Sequence, residues 1–433
     1  MLEFSKTFCA SPWLSMRITA NGDFEFCRWG KSGDIKYNIA DTDPFEYFQQ
    51  HMSQIRLDLL NGKTLHNCRL CHSMEQHGKI SGREKQLLKV GVDANNFKKT
   101  MMSSPWLNKF KQSHNNQGYT EQLPVDWQID LGNFCNSACI FCSPFSSSRL
   151  HNEFKKIGID VNGTPGNWSS DPVLVDKLIS GLVQVTNLQY LHFIGGEPMI
   201  MPSFEKILIK LIDAGLHTKV SIGVTTNLTV WNEKIANLLS QFKEVNLGLS
   251  IECLHPVNDY LRFGGTLSKT KEYLDKWVDY GNSNNWLLSL RSTPTVFSIF
   301  YLDTLYKYAL EKDIYIESCN FIDDPDFMRP SVIPKQYRKP ILDKLQKWAA
   351  DNQHHARCAS SANTRSPKFN KSALVNDLKS YINYLENMES EEHLIPQLLS
   401  YINKLELSRN NSIIEYAPEY TTFLQSHGYI ARR

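Results

Sequence analysis

No window of the 433 residues approaches 18 uninterrupted apolar positions, so the sequence holds no candidate transmembrane helix. Neither sign of charge dominates. With 47 Lys and Arg against 45 Asp and Glu, the formal charge of +2 gives no reason to expect nucleic acid or an anionic membrane as the main partner. The stretch from Met1 to Lys6 lacks the charged-then-apolar order of a secretory signal. The expected location is the cytoplasm, where thiols stay reduced. There is no internal repeat and no low-complexity tract. A composition of 41% hydrophobic and 21% charged residues excludes a largely disordered chain, and the length predicts two or three domains.

Ten cysteines are too few for a disulfide scaffold, but they are not scattered. Seven fall in two groups before residue 143: Cys9, Cys27, Cys68 and Cys71, then Cys135, Cys139 and Cys142. Residues 1–120 mix short strand-like and helical runs. One helix is predicted from Pro44 to Leu60, with Asp43 as N-cap and Phe45, Phe48 and Met52 on its core face. Asn21-Gly22 signals a hairpin turn that would bring Cys9 and Cys27 together. Residues 112–118 are polar and aperiodic and read as a linker.

Over residues 121–330 the texture becomes an alternation of six strands with five helices. The predicted strands are Trp127 to Leu131, Tyr190 to Ile194, Val220 to Thr225, Val245 to Ile251, Trp286 to Ser292 and Ile314 to Cys319. Such alternation builds βαβ units around a parallel sheet, and six units suggest a partial (β/α)6 barrel. The fold class is therefore α/β, with a small α+β N-terminal domain and a helical C-terminal region over 331–433. Within that region residues 354–372 read as a polar loop containing His354 and His355, both expected to be solvated. In a partial barrel, functional groups belong at the C-terminal ends of the strands.

The strongest chemical signal lies just after the first of these strands, the C-x3-C-x2-C array of Cys135, Cys139 and Cys142. Three thiolates from one loop can hold three irons of a [4Fe–4S] cluster and leave the fourth open to another ligand. A zinc site or three buried free cysteines are the alternatives. At the end of the second strand stand Gly195, Gly196, Glu197 and Pro198. The two glycines let a ligand approach the main chain, and the carboxylate can pair with an ammonium group.

Together these motifs resemble the radical S-adenosylmethionine (SAM) superfamily over residues 125–325. The resemblance implies a cluster on Cys135, Cys139 and Cys142 whose open iron binds the amino and carboxylate groups of SAM. Reductive cleavage would then yield a 5′-deoxyadenosyl radical that abstracts hydrogen from substrate. Phe141, before the third cysteine, matches the family's habit, and the Gly195 to Pro198 segment its SAM-amine motif. Asn227 and Ser250 at strand ends, and Arg262 beyond, are candidate SAM contacts. Arg149 is either a site residue or an ordinary helix charge.

The first cysteine group resembles the auxiliary-cluster segment of SPASM and Twitch proteins. There a cysteine precedes G-x4-C, here Gly22 to Cys27, and a C-x2-C follows, here Cys68 and Cys71. This implies a second [4Fe–4S] cluster, with structural zinc as the alternative. In familiar members that segment follows the barrel, whereas here it precedes it. Cys319 closes the sixth strand as a candidate hydrogen-atom donor or a buried apolar cysteine; Cys253 and Cys358 read as structural or incidental.

The function expected from the resemblance is radical modification of a ribosomally made peptide, by cross-linking, epimerisation or thioether formation. A flavodoxin- or ferredoxin-type protein would supply electrons. One alternative is dehydrogenation or rearrangement of a small sugar- or nucleoside-like metabolite. Another is a non-catalytic, zinc-stabilised binding protein.

Overall fold

The computed structural model describes every residue except 1–3, 29–35, 77–79, 162–164, 318–321, 323, 355–370 and 431–433. His355, Cys319 and Cys358 therefore lie outside the described residues. Ten strands occur among the described residues: β1 Ser15–Ile18, β2 Phe24–Glu25, β3 Asp126–Asp130, β4 Ala138–Cys139, β5 Tyr190–Ile194, β6 Ser221–Thr226, β7 Glu244–Ser250, β8 Arg262–Phe263, β9 Leu287–Arg291 and β10 Tyr315–Glu317. Eight of them form one sheet in the order β10-β9-β7-β6-β5-β3-β1-β2. Every neighbouring pair is parallel except the β1–β2 hairpin.

The six strands predicted for the partial barrel are β3, β5, β6, β7, β9 and β10, in sequential order. The helices Pro172–Gln184, Pro202–Asp213, Glu233–Leu239, Leu267–Ser283 and Asp303–Lys312 alternate with them. The N-terminal segment adds β1 to the same sheet, parallel to β3 with Arg17 opposite Gln128. The hairpin turn at Gly22 forms as predicted, with φ at +88°, and sets Arg17 opposite Glu25.

A parallel sheet with both faces covered usually reads as a continuous apolar run. Here the strands alternate. Trp127, Ile129, Leu191, Phe193, Ile222, Val224, Val245, Leu247 and Leu249 enter the main core. On the opposite parity stand Gln128, His192, Thr225, Asn246, Ser250 and Arg291, which line a polar barrel lumen, and Asp130, which pairs with Arg17.

Two local predictions need correction. The run from Pro44 to Leu60 is not one continuous α-helix. Asp43 does cap Pro44–Glu46, but the backbone widens to a π turn over Tyr47–His51 before Ser53–Leu60 resumes. The cause is visible in Arg56, fully buried, whose guanidinium collects the Phe48, Gln49, Pro12 and Gly118 carbonyls. The supposed linker at 112–118 begins inside the helix Leu107–Asn115. Phe110 anchors it by packing on Phe4, Phe8 and Trp13 in a second core, one large ring doing what an apolar stripe would otherwise do.

The C-terminal region is helical as predicted, in Lys335–Asp351, Lys371–Asn387 and Ile395–Arg409. Among the described residues no helix is long and apolar enough to cross a membrane.

Candidate functional site

The cysteine loop leaves the C-terminal end of β3, and surrounding elements brace it from several sides. Ser147 caps the helix Ser148–Lys156 by accepting from the Leu150 amide, and its hydroxyl donates to the Ser137 carbonyl at 2.6 Å. β4, carrying Cys139, pairs with β8, so that Cys139 faces Arg262 in register. Arg149 is not a free surface charge: it donates to the Asn136 carbonyl at 2.7 Å and lies over the Phe263 ring.

The far C-terminal helix also reaches the loop. The Tyr401 hydroxyl donates to the Ile140 carbonyl at 2.6 Å, and Arg409 donates to the Ala138 carbonyl at 2.8 Å while pairing with Glu153 at 2.7 Å. Sequence reading missed both residues, because nothing local in a helix some 260 positions away marks it as a partner of the loop.

The glycines after β5 serve this loop first. The Gly196 amide donates to the Gly132 carbonyl at 2.8 Å, and the Glu197 amide to Phe134 at 2.9 Å. A Cβ on Gly196 would overlap the Phe134 carbonyl, so the glycine lets two loops of the chain meet closely. Glu197 is buried, and its carboxylate accepts from the backbone amides of Met199 at 3.1 Å and Asn227 at 2.5 Å. Burial raises its pKa to about 7, against the opposing pull of those amides. Neither Glu197 nor Pro198 lines the cavity described next. Asn227 in turn donates to Asn136 Oδ1 at 3.0 Å and Ser137 Oγ at 3.2 Å, and its amide nitrogen lies 3.7 Å from Cys135 Sγ.

A cavity of about 690 Å³ opens at this end of the barrel. Cys135, Cys139, Cys142, Gly195, Gly196, Asn227, Ser250 and Arg262 all line it, so most of the predicted site converges there. Arg262 is already engaged: it pairs with buried Glu252 at 2.5 Å and lies over the Phe141 ring. Glu252 also accepts from the Ser292 hydroxyl and the Thr293 amide. Burial pushes the Cys135 thiol up to about 12, and Cys139 and Cys142 also rise. Buried thiols stay neutral until a metal displaces their protons.

The four remaining cysteines predicted to act together also meet. Cys9, Cys27, Cys68 and Cys71 line one small cavity with Arg28, Arg83 and Gln86. Burial raises Cys9 well above the ordinary thiol range and Cys68 to about 11, and it raises Cys71 as well. Arg83 clamps the site. It makes a bidentate pair with Glu75 at 2.7 and 2.8 Å and donates to the Lys6 and Phe8 carbonyls, tying the C-x2-C helix Arg69–Gln76 to the chain before Cys9. Arg28 lines both cavities, so the two cysteine groups are neighbours across one side chain. Among the described residues no three His, Cys, Asp or Glu side chains close to single-ion geometry. Cys253 is buried away from both groups.

The family model described as "Radical SAM superfamily" matches residues 129–291. No curated protein matches the sequence. Among solved structures, anSMEcpe with bound AdoMet is similar at 19% identity and a TM-score of 0.40, covering 53% of this chain and 62% of that one. SuiB of Streptococcus suis bound to S-adenosylmethionine is similar at 13% identity and a TM-score of 0.39, over 80% of this chain and 71% of that one. TsrM from Kitasatospora setae, a radical S-adenosylmethionine methyltransferase, is similar at 15% identity and a TM-score of 0.31, over 44% and 33%. The chain thus spans 62% of the length of anSMEcpe. The residues that this family model matches run from β3 to the end of β9.

Proposed function

We propose that the protein is a radical SAM enzyme with two iron–sulfur sites. The observation that carries this reading is the convergence of Cys135, Cys139 and Cys142 with Gly195, Gly196, Asn227, Ser250 and Arg262 on one cavity at the C-terminal ends of the barrel strands. Three thiols and no fourth in that loop fit a [4Fe–4S] cluster with one open iron. With SAM bound, such a cluster supplies a 5′-deoxyadenosyl radical by reductive cleavage.

The chain's own residues bind and position. Gly195, Gly196, Ser250 and Asn227, which line the cavity, would hold SAM there, with Arg262 over the Phe141 ring beside the third cysteine. Glu197 holds the Asn227 backbone and so acts by positioning.

Cys9, Cys27, Cys68 and Cys71 would hold the second cluster. Their meeting on one cavity, in the spacing that resembles the auxiliary-cluster segment of SPASM and Twitch proteins, supports this reading. Its neighbourhood to the lumen through Arg28 suits acceptance of an electron from oxidised substrate. The substrate we favour is a ribosomally made peptide, a reading supported by the SPASM- and Twitch-like cysteine pattern, with a flavodoxin- or ferredoxin-type donor supplying electrons. The polar lumen favours, as a second reading, a small polar metabolite that enters whole.

The test is an iron and sulfide count on anaerobically reconstituted protein, with a 5′-deoxyadenosine assay after dithionite and SAM. Roughly eight irons in the parent, about four in Cys135→Ala/Cys139→Ala/Cys142→Ala, and SAM cleavage only in the parent are expected. Zinc in place of iron, or a loaded protein that leaves SAM intact, overturns the reading.

A further inference from the structure

The lumen holds more polar chemistry than a cluster and SAM account for. At its inward positions β5 places Tyr190 and His192, and β9 places Arg291. Two glycines make room for them. A Cβ on Gly223 would overlap the Tyr190 hydroxyl, and one on Gly248 the Arg291 guanidinium. Barrel interiors are ordinarily closed by layers of branched apolar side chains. Here the sequence leaves gaps and fills them with a phenol and a guanidinium.

The charges are one-sided where they face the cavity. Arg17, Arg28, Lys85 and Arg291 line it, and among the described residues no carboxylate does. The acids sit behind. Asp130 and Glu25 pair with Arg17, and Asp126 with Arg28 at 3.6 Å and with Lys89 at 2.5 Å. Lys85 makes no ion pair among the described residues. Arg28 lies over the Tyr190 ring and Arg291 donates to Thr225 Oγ1 at 2.6 Å, so both guanidinium planes are oriented. His192 registers the resulting field: burial, then the Arg28 and Arg291 charges, hold its pKa well below the imidazole range. Its Nδ1 is buried with no partner.

We propose that this wall of the lumen, built by Arg17, Arg28, Lys85 and Arg291, is a subsite for an oxyanion of the substrate, a carboxylate or a phosphate. Guanidinium forks match such groups geometrically. The proposal rests on the lumen being the substrate chamber of a radical SAM enzyme. On the peptide reading the group is an acidic side chain; on the metabolite reading it is a free acid or phosphate ester.

Ligand-observed NMR on the reconstituted full-length protein separates these. The probes are N-acetylglutamate N-methylamide, glutarate and inorganic phosphate, with N-acetylglutamine N-methylamide as the neutral control. At least one anionic probe is expected to bind about tenfold more tightly than the control. Arg28→Gln and Lys85→Gln should each erode that preference, and Arg28→Lys should restore part of it. Melting temperature and iron content verify that the variants fold.

Preference for the capped glutamate identifies a peptidyl carboxylate; preference for glutarate or phosphate identifies a free anion. Equal binding of the neutral probe, no anionic binding, or indifference to both substitutions overturns the subsite. SAM binding is measured on the same samples. A parent that binds the anionic probe but not SAM sinks the cofactor reading alone, and one that binds SAM without discriminating sinks the subsite alone.

Discussion

The two cysteine groups differ in how the chain assembles them. Cys135, Cys139 and Cys142 come from eight consecutive residues, and the surrounding protein fastens that loop through Asn227, Gly196, Tyr401 and Arg409. Cys9, Cys27, Cys68 and Cys71 come from a loop, a hairpin and a helix, held largely by the Arg83–Glu75 clamp. A site built from one braced loop keeps its shape without its occupant. A site built from distant pieces closes loops whose entropy the occupant must help offset.

The largest expected contrast is therefore in the response to iron removal. Chelation of the reconstituted protein should expose the region around Cys68 and Cys71 to limited proteolysis well before the Cys135 to Cys142 loop. Simultaneous cleavage at both would erase the distinction. Next in size are the braces. Arg409→Ala leaves Glu153 unpaired beside the cysteine loop, at a cost of about 3 kcal/mol, and should lower iron at the first site only. Arg83→Ala strands Glu75 and should do the converse, which site-resolved EPR would read.

Asn227→Ala removes hydrogen bonds to Asn136 and Ser137, worth about 1–2 kcal/mol in all. It should loosen SAM binding more than it lowers the melting temperature.

The smallest effect concerns the seam between the two regions. Burial alone would raise the Asp126 pKa, but Lys89 and Arg28 more than reverse that and hold it below the usual carboxylate range. A depressed folded pKa contributes stability that is fully present above the unfolded value of about 3.9 and disappears as pH falls through the folded one. Asp126→Asn should therefore flatten the acid limb of a melting-temperature profile and leave the neutral plateau lower.

Much of the barrel was legible. The alternation of short strand-like runs with helical ones located all six strands to within about two residues, because each strand is followed by a helix that covers one of its faces. The cysteine loop was legible for the same kind of reason: its ligands are close in sequence. What the glycines of the Gly195 to Pro198 segment do was not. Gly196 closely approaches the Phe134 carbonyl and Gly195 that of Gly132, contacts between two loops that no local sequence pattern displays. Arg262 was legible as a candidate SAM contact, but its pairing with Glu252 was not. The helix Leu107–Asn115 was lost because one ring, Phe110, stands in for a stripe.

The sequence by itself determined the strand and helix succession and the three-cysteine loop, both set by spacing along the backbone. Only the tertiary structure decided that β1 joins the barrel sheet beside β3, that a C-terminal helix braces the cysteine loop, and that Arg28 stands between the two cysteine cavities. Those outcomes depend on which surfaces meet after the chain has closed on itself. Spacing along the backbone does not encode that meeting; burial and pairing of groups far apart in sequence do.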